Sequence, residues 1–422
     1  MRPPPQDGSS ELPYLTADLP GVGGVIKQID EDFVVEEIPR YQPTGEGTHT
    51  YLLIEKRGLT THAAIRQIAR ALGKQPREIG YAGLKDARGV TRQTISVEHV
   101  DSQRIASLSL PQITVLSAKR HTNKLKLGHL AGNRFRICLR GVDSAAIEKT
   151  RAVVNVLVRR GVPNYFGPQR FGTRGDNALI GAAALRGDFD EAIKLMLGRP
   201  RPADPDDVRE ARQLFDDGEL ADSAKRWPRS CAEEAHVCRA MLDTDGDARK
   251  AWRAVQHNLR KLFVNAFQSR LFNDVLARRI TAIDRVEYGD VAWLHRNGAC
   301  FTVQDALVEK PRCDAFEISP TGPMFGRKMK APLGEPEKIE AAVFASAGFK
   351  PGADAATIRA LDGTKLDGAR RPLRVPLTDP AVDEGTDGAE RFISLSFSLP
   401  PGAYATGVVR EISKTDERRS AQ

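Results

Sequence analysis

Cysteine is scarce in this sequence and is not arranged for a structural role. The chain has five cysteines in 422 residues: Cys138, Cys231, Cys238, Cys300 and Cys313. None of them forms a Cys-x-x-Cys pair, and no second ligand cluster follows Cys231, His236 and Cys238 at zinc-finger spacing. An odd, scattered set is typical of reduced thiols in the cytoplasm. We therefore expect no bound metal.

Long apolar runs and cofactor fingerprints are missing as well. No segment reaches the length that a membrane-spanning helix needs. The first ten residues are proline-rich and polar and lack the hydrophobic core of a secretory signal, so we expect a soluble, cytoplasmic protein. No glycine-rich dinucleotide loop or P-loop is present, which argues against a nucleotide cofactor.

The chain is long and moderately basic. Its length exceeds that of one ordinary domain, and two domains are expected. The 63 basic and 55 acidic side chains give a net charge of +8. This balance suits a polyanionic partner without requiring one.

One loop concentrates reactive side chains between two strand-like runs. Residues 79–82 precede it, and residues 94–97 follow it with the polar–apolar alternation of a half-buried strand. Between them, Asp86 is the only acid; Lys85, Arg88 and Arg92 lie in the same stretch, and a fourth base, Arg77, lies a little upstream. We expect Lys85 or Arg88 to keep the Asp86 carboxylate ionised. The alternative is a basic surface hairpin with one weak ion pair.

The loop resembles the catalytic loop of the TruD family of tRNA pseudouridine synthases, in residues 83–87 followed by residues 90–93. Further blocks match the same family in the same order, so that the resemblance runs from about residue 25 to residue 412. These blocks are Asp32-Phe33-Val34-Val35-Glu36-Glu37, Gly132-Asn133-Arg134-Phe135, residues 163–172 (PNYFGPQRFG), residues 265–273 (NAFQSRLFN), and residues 399–406 (LPPGAYAT) with Arg410-Glu411.

The resemblance implies an α/β (α+β) fold with an interrupted catalytic domain. Residues 1–160 and 371–422 would form that domain around a mixed, largely antiparallel sheet, and residues 161–370 would form an inserted α/β domain. Local patterns agree with helices in the middle of the chain. Residues 255–263 and 267–280 resemble a helical pair, and residues 379–390 an acidic loop.

By resemblance, the protein is a tRNA pseudouridine synthase, and bacterial members of the family modify tRNA uridine-13. The reaction breaks a C–N glycosidic bond, turns the uracil and forms a C–C bond without a redox step, so no cofactor is needed. Asp86, with Lys85 beside it, is the expected catalytic group. It could attack uracil C6, attack the sugar C1′ or remove the C2′ proton, and the residues do not distinguish these routes. We expect a monomer that acts on tRNA.

Five residues match positions of the family that contact substrate: Phe33, Asn133, Phe135, Tyr404 and Arg410. Phe135 would stack on the uracil, Asn133 would bind its edge or fix the loop, and Arg410 would lie near Asp86. For each aromatic residue the alternative is ordinary core packing.

The strand that carries Phe135 alternates arginines with apolar residues. Its arginines, Arg134, Arg136 and Arg140, would share one face, which either meets RNA phosphates together with Lys124 and Lys126 or is simply solvated.

Two other functions compete with this interpretation. One is a non-catalytic RNA-binding or RNA-folding protein on the same scaffold. The intact Lys85-Asp86 pair argues against it, because a site that has lost its activity need not keep its acid. The other is a different nucleic-acid enzyme such as a methyltransferase, which no glycine-rich cofactor loop supports.

Overall fold

The computed structural model describes residues 12–101, 104–105, 108–349 and 366–415. The strands in these residues are β1 Phe33–Pro39, β2 His49–Arg57, β3 Gly80–Tyr81, β4 Val90–Glu98, β5 Ile113–His121, β6 Leu130–Arg140, β7 Val162–Pro163, β8 Val291–Leu294, β9 Cys300–Thr302, β10 Ile318–Met324, β11 Ala369–Pro372, β12 Arg374–Val375, β13 Thr378–Asp387 and β14 Glu390–Leu399.

The α-helices are α1 Thr61–Leu72, α2 Ala146–Arg160, α3 Asn177–Arg186, α4 Phe189–Leu197, α5 Asp206–Asp216, α6 Leu220–Arg226, α7 Ala232–Asp243, α8 Ala248–Ala254, α9 His257–Arg279, α10 Ala306–Asp314, α11 Gly334–Ser346 and α12 Ala405–Ser413. In the part of the chain that the structure describes, none of the helices combines the length and the apolar character of a membrane span.

The chain divides into two compact units. Among the described residues, those from 15 to 162 and from 375 to 415 form the sheet unit, and those from 12 to 14 and from 163 to 374 form the helical unit. The sheet unit contains an eight-stranded sheet in the order β13-β14-β6-β1-β4-β2-β5, with β3 paired to β4. Because β1 and β4 are parallel and the other pairs are antiparallel, the expected mixed, largely antiparallel sheet is confirmed. Strands from both ends of the chain contribute to it.

The register of this sheet brings distant residues onto one buried face. Val35 of β1 lies opposite Phe135 of β6, and Phe135 lies opposite Phe397 of β14. On the other side of β1, Val35 is the neighbour of Thr91 of β4, and Thr91 lies opposite Lys56 of β2. Since direct neighbours in a sheet point to the same side, these five side chains share one face, called the loop face below.

Helix α1 lies on the loop face and follows the strand that carries Lys56. Thr60 accepts a hydrogen bond from the N–H of Ala63 at the N-terminus, and Gly73 ends the helix at a φ of 67°. Threonine at the first position and glycine at the last are the residues that these positions favour. The apolar side of α1 packs with Leu52, Ile54, Ile95 and Val97.

The helical unit corrects one prediction. Residues 255–280 do not form a helical pair; α9 is one continuous helix of 23 residues. No glycine or proline lies within it to end the first segment, so the helix continues. A four-stranded sheet, in the order β11-β10-β8-β9, completes this unit in the described residues.

The expected acidic loop at residues 379–390 is also wrong. Most of it is strand β13, which pairs with β14 from Thr378↔Ser398 to Asp387↔Glu390. β13 is an edge strand with largely exposed side chains, so it lacks the apolar alternation by which strands are identified in sequences.

Candidate active site

The loop between β3 and β4 is fixed to its surroundings by its backbone. The N–H of Lys85 donates to Thr61 Oγ1 over 2.9 Å, and the N–H of Gly89 donates to Asp30 Oδ1 over 3.1 Å. Gly89 has a φ of +125°, and a Cβ atom there would collide with the carbonyl oxygen of Phe33. Glycine is therefore required at this turn, and both ends of the loop are anchored.

Lys85 points into the protein. Its Nζ lies 2.9 Å from Glu37 Oε2, and only 4% of the Lys85 side chain and 1% of the Glu37 side chain are exposed. The second oxygen of Glu37 accepts the backbone N–H of Thr94. Lys85 is one of the two bases expected to keep Asp86 ionised, but its ammonium group pairs with the buried Glu37 carboxylate instead.

Asp86 points towards solvent and pairs with a lysine that sequence reasoning missed. Its Oδ2 lies 3.2 Å from Lys27 Nζ, and 46% of its side chain is exposed. The Lys27 ammonium also lies 3.9 Å from the ring centroid of Phe33, a cation–π distance. Lys27 stands 59 residues before Asp86, so no local pattern could reveal the pair.

A second lysine lies under the loop. Lys56 is completely buried, and its Nζ donates to the carbonyl oxygen of Asp86 over 2.8 Å and to that of Leu59. Burial lowers the pKa of Lys56 to about 8, although the nearby Asp86 carboxylate opposes this shift.

Two of the predicted substrate-contacting aromatics lie together in a row of three rings. The ring centroids of Phe33 and Phe135 are 6.4 Å apart, and those of Phe135 and Phe397 are 5.5 Å apart. Phe135 is only 6% exposed. Phe397 was not among the predicted site residues, although its alternation with Leu395 and Leu399 places it on the loop face.

Asn133 lies two residues before Phe135 on the same face and has an unused acceptor. It stands opposite Glu37 of β1, whose carboxylate holds Lys85. The Oδ1 atom of Asn133 is buried and has no hydrogen-bond partner among the described residues. A buried polar atom without a partner is unfavourable, so this oxygen is available to a ligand that brings a donor.

The remaining two candidates lie at helix α12. Tyr404 precedes the first residue of α12 and is 46% exposed. Arg410, within α12, forms an ion pair with Glu411 at 3.6 Å. In the described part of the chain, no ring contact or hydrogen bond joins Tyr404 to the group formed by Lys27, Phe33 and Asp86.

The arginine face of β6 contains two exposed arginines rather than three. Arg134 and Arg136 are exposed and lie on the side of the sheet opposite to Phe135. Arg140 is buried instead, because its Nε donates to Asp32 Oδ1 over 2.8 Å. By its register Arg140 lies on the same side of β6 as Arg134 and Arg136, but its burial removes it from the exposed cationic surface.

The groups at the site would allow a carboxylate to act as a nucleophile or a base next to an apolar wall. One half-exposed carboxylate projects from an anchored loop, one ammonium group faces it, and aromatic rings lie beside that ammonium. Within the described residues, no group of three or more histidine, cysteine or acidic side chains could bind a metal ion.

Comparison with known proteins yields one family. The family model for tRNA pseudouridine synthase D (TruD) matches residues 10–412. The tRNA pseudouridine synthase D of Geobacter metallireducens is 50% identical over 406 residues, which cover 96% of this chain and 98% of that protein. Its namesake from Geobacter sulfurreducens is 48% identical over 401 residues, or 95% and 96% of the two chains.

A solved structure agrees with these matches. The crystal structure of the putative tRNA pseudouridine synthase D from Methanosarcina mazei superposes with a TM-score of 0.83 at 29% identity and covers 97% of both chains.

Proposed function

This chain belongs to the tRNA pseudouridine synthase D (TruD) family, and from that premise we propose that it converts uridine-13 of tRNA to pseudouridine with Asp86 as nucleophile or base. The observation that carries this proposal is the position of the Asp86 carboxylate. It is the only carboxylate in residues 80–92, it projects outward from a loop anchored at both ends, and Lys27 lies 3.2 Å from it.

The proposed reaction is an isomerisation: uridine and pseudouridine have the same atoms and the same oxidation state, so no co-reactant is consumed. The bond between uracil N1 and the sugar C1′ breaks, the base turns, and a bond from C5 to C1′ forms while C5 loses its proton and N1 gains one. A carboxylate can serve as the covalent nucleophile at C1′ or C6, or as the base that removes the C2′ proton. Each route needs the Asp86 carboxylate beside the glycosidic bond of an extruded uridine.

The pocket residues have complementary roles. The unpartnered Oδ1 of Asn133 suits the N3–H donor of uracil, and this contact would satisfy a buried acceptor. Phe33 and Phe135 would form the apolar wall of the uracil pocket. Because Phe135 is largely covered by its neighbours, a wall that sets the position of the base fits it better than an open stacking platform. Tyr404 and Arg410 complete the proposed substrate contacts from α12.

The proposal includes the working state of the enzyme. We infer that it acts as a monomer on tRNA in the cytoplasm, with no small-molecule cofactor. Gel filtration coupled to light scattering, at the concentration used for activity, tests the monomer: a mass near 46.3 kDa is expected, and twice that mass would refute it.

The function is tested with unmodified tRNA and no added cofactor. Pseudouridine should appear at position 13, and a transcript with cytidine at that position should stay unmodified. Pseudouridine at another position would refute the site preference alone. Stoichiometric RNA binding without any pseudouridine would instead favour a non-catalytic RNA-binding protein on this scaffold.

A further inference from the structure

Lys56 occupies an unusual position for a lysine. Its side chain is completely excluded from solvent on the loop face, where its strand neighbours Ile54 and Leu52 are apolar core residues. None of the ion pairs among the described residues includes Lys56. A buried ammonium without a carboxylate partner is costly, and an apolar side chain of similar volume would fill the space at lower cost.

The two acceptors of Lys56 connect three elements at the site. The carbonyl of Leu59 belongs to the turn between β2 and α1, directly before the capping residue Thr60. The carbonyl of Asp86 belongs to the residue whose carboxylate projects towards solvent. The Lys56 ammonium therefore joins β2, the start of α1 and the loop at the backbone of Asp86 itself.

This contact differs from the other anchors of the loop. Thr61 binds the backbone of Lys85, and Asp30 binds that of Gly89. Of these anchors, Lys56 is the one that holds Asp86 directly and adds a positive charge on the buried side of its backbone. The Lys27 ammonium reaches the same residue at its carboxylate.

We propose that Lys56 is a positioning residue for the reaction proposed above: it holds the Asp86 backbone from the buried side and places a positive charge beneath the carboxylate. This role rests on Asp86 being the reacting group. A displacement of a reacting group by about 1 Å can cost on the order of 100-fold in rate. Loss of the hydrogen bond from Lys56 to the Asp86 carbonyl should therefore affect turnover more than RNA binding.

The charged groups around Lys56 define the expected pH response. From the loop, the Asp86 carboxylate raises the pKa of Lys56, and the Lys85 ammonium lowers it. Lys85 is itself paired with Glu37 of β1, and Asp86 with Lys27. The neighbour on β4 is the uncharged Thr91. With burial as the dominant cause, the pKa is about 8, so the ammonium loses its charge as the pH rises through this value.

The test compares Lys56→Met with wild type in single-turnover pseudouridine formation between pH 6.5 and 9.5. Methionine keeps the volume and removes the donors and the charge. The rate at pH 7 should fall about 100-fold, while the Kd for tRNA changes less than about threefold. The wild-type rate should decline above pH 8, and this decline should be absent in Lys56→Met.

The matched control is Thr50→Val. Thr50 lies on the same strand and, like Lys56, is buried; its hydroxyl donates to the carbonyl of Val100 over 2.8 Å. Losing this hydrogen bond should lower the melting temperature but leave the rate and its pH dependence unchanged. If Lys56→Met does not fold, Lys56→Gln takes its place. The pH dependence of the wild-type single-turnover rate tests the proposal without any variant of Lys56.

The outcomes separate the two proposals. A Lys56 variant with the wild-type rate and pH profile overturns the positioning role, and so does a wild-type rate that stays flat from pH 7 to pH 9. A wild-type protein that forms no pseudouridine at any pH instead overturns the proposed function.

Discussion

The ammonium group of Lys85 lies 2.9 Å from the carboxylate of Glu37, and both side chains are almost completely buried. Adjacent residues of the loop therefore point in opposite directions: Lys85 anchors the loop in the sheet unit, and Asp86 faces solvent. A pair that looks like two partners in the sequence has separate roles in the structure.

Glu37→Gln should destabilise the protein and reduce turnover. The change leaves the Lys85 charge buried without its counter-ion, and loss of one partner of a buried pair costs about 3 kcal/mol. Thermal unfolding and single-turnover rates measure the two effects. The control is Glu36→Gln, on the opposite face of the same strand, which should behave like wild type. Equal melting temperatures for the two variants would contradict the anchoring role of the pair.

Phe135→Ala should lower both stability and activity without abolishing turnover. The ring is buried between Phe33 and Phe397, and removal of a buried phenylalanine costs about 3–5 kcal/mol. The comparison is Phe397→Ala, which removes a ring from the same row but no proposed contact with uracil. At a temperature where both variants are folded, Phe135→Ala should have the lower single-turnover rate. Equal rates would indicate that Phe135 serves packing alone.

Binding of tRNA should weaken steeply as salt rises, because basic side chains would neutralise phosphates. Each phosphate contact contributes ~0.7–0.9 to the log–log slope, so several contacts give a slope of several units. Replacing both Arg134 and Arg136 by alanine should reduce the slope by about 1.5 if they contact phosphates. Filter binding at several salt concentrations measures it. An unchanged slope would show that this exposed face of the sheet is only solvated.

His295 should make the helical unit sensitive to acid. Burial and the nearby Arg374 guanidinium lower the pKa of His295 to about 4, and its Nε2 lies 2.9 Å from Ser319 Oγ. The ordinary pKa is 6.5, so below that pH the unfolded state takes up the proton first. Stability is therefore complete above pH 6.5 and is lost as the pH falls towards 4.

His295→Gln removes this titration and keeps a polar side chain near Ser319. Its melting temperature should depend less on pH between 6.5 and 4.5 than that of the wild type. Parallel pH profiles for the two proteins would contradict a partly buried, neutral His295.

Much of the sheet unit could be predicted from local patterns. The strand at residues 94–97 and the alternating sides of β6 follow from neighbouring residues, and the structure contains both strands. The burial of Ser96 and Arg140 does not follow from those patterns. Strand β13 could not be predicted this way. Its side chains have no buried face, so only the backbone pairing with β14 defines it.

The electrostatic partners of the site could not be predicted from the sequence either. Lys27 and Lys56 reach Asp86 across 59 and 30 residues, and nothing in their own surroundings marks them. Lys85 could be placed in the loop, but whether it faces Asp86 or Glu37 depends on the β1–β4 pairing. The family resemblance supplied candidates such as Lys85, and the contacts show that Lys85 points from the loop to Glu37 and that Lys56 lies beneath the loop.

Replacing Asp86 by asparagine tests the assignment of the reacting group most directly. Asparagine keeps the shape but removes the charge and the nucleophilicity. Single-turnover tritium release from tRNA labelled at uracil C5 should therefore be abolished. Binding of the same tRNA in a filter assay should change little, because phosphate contacts and stacking supply most of the affinity. Appreciable tritium release by Asp86→Asn would show that Asp86 is not the nucleophile or base.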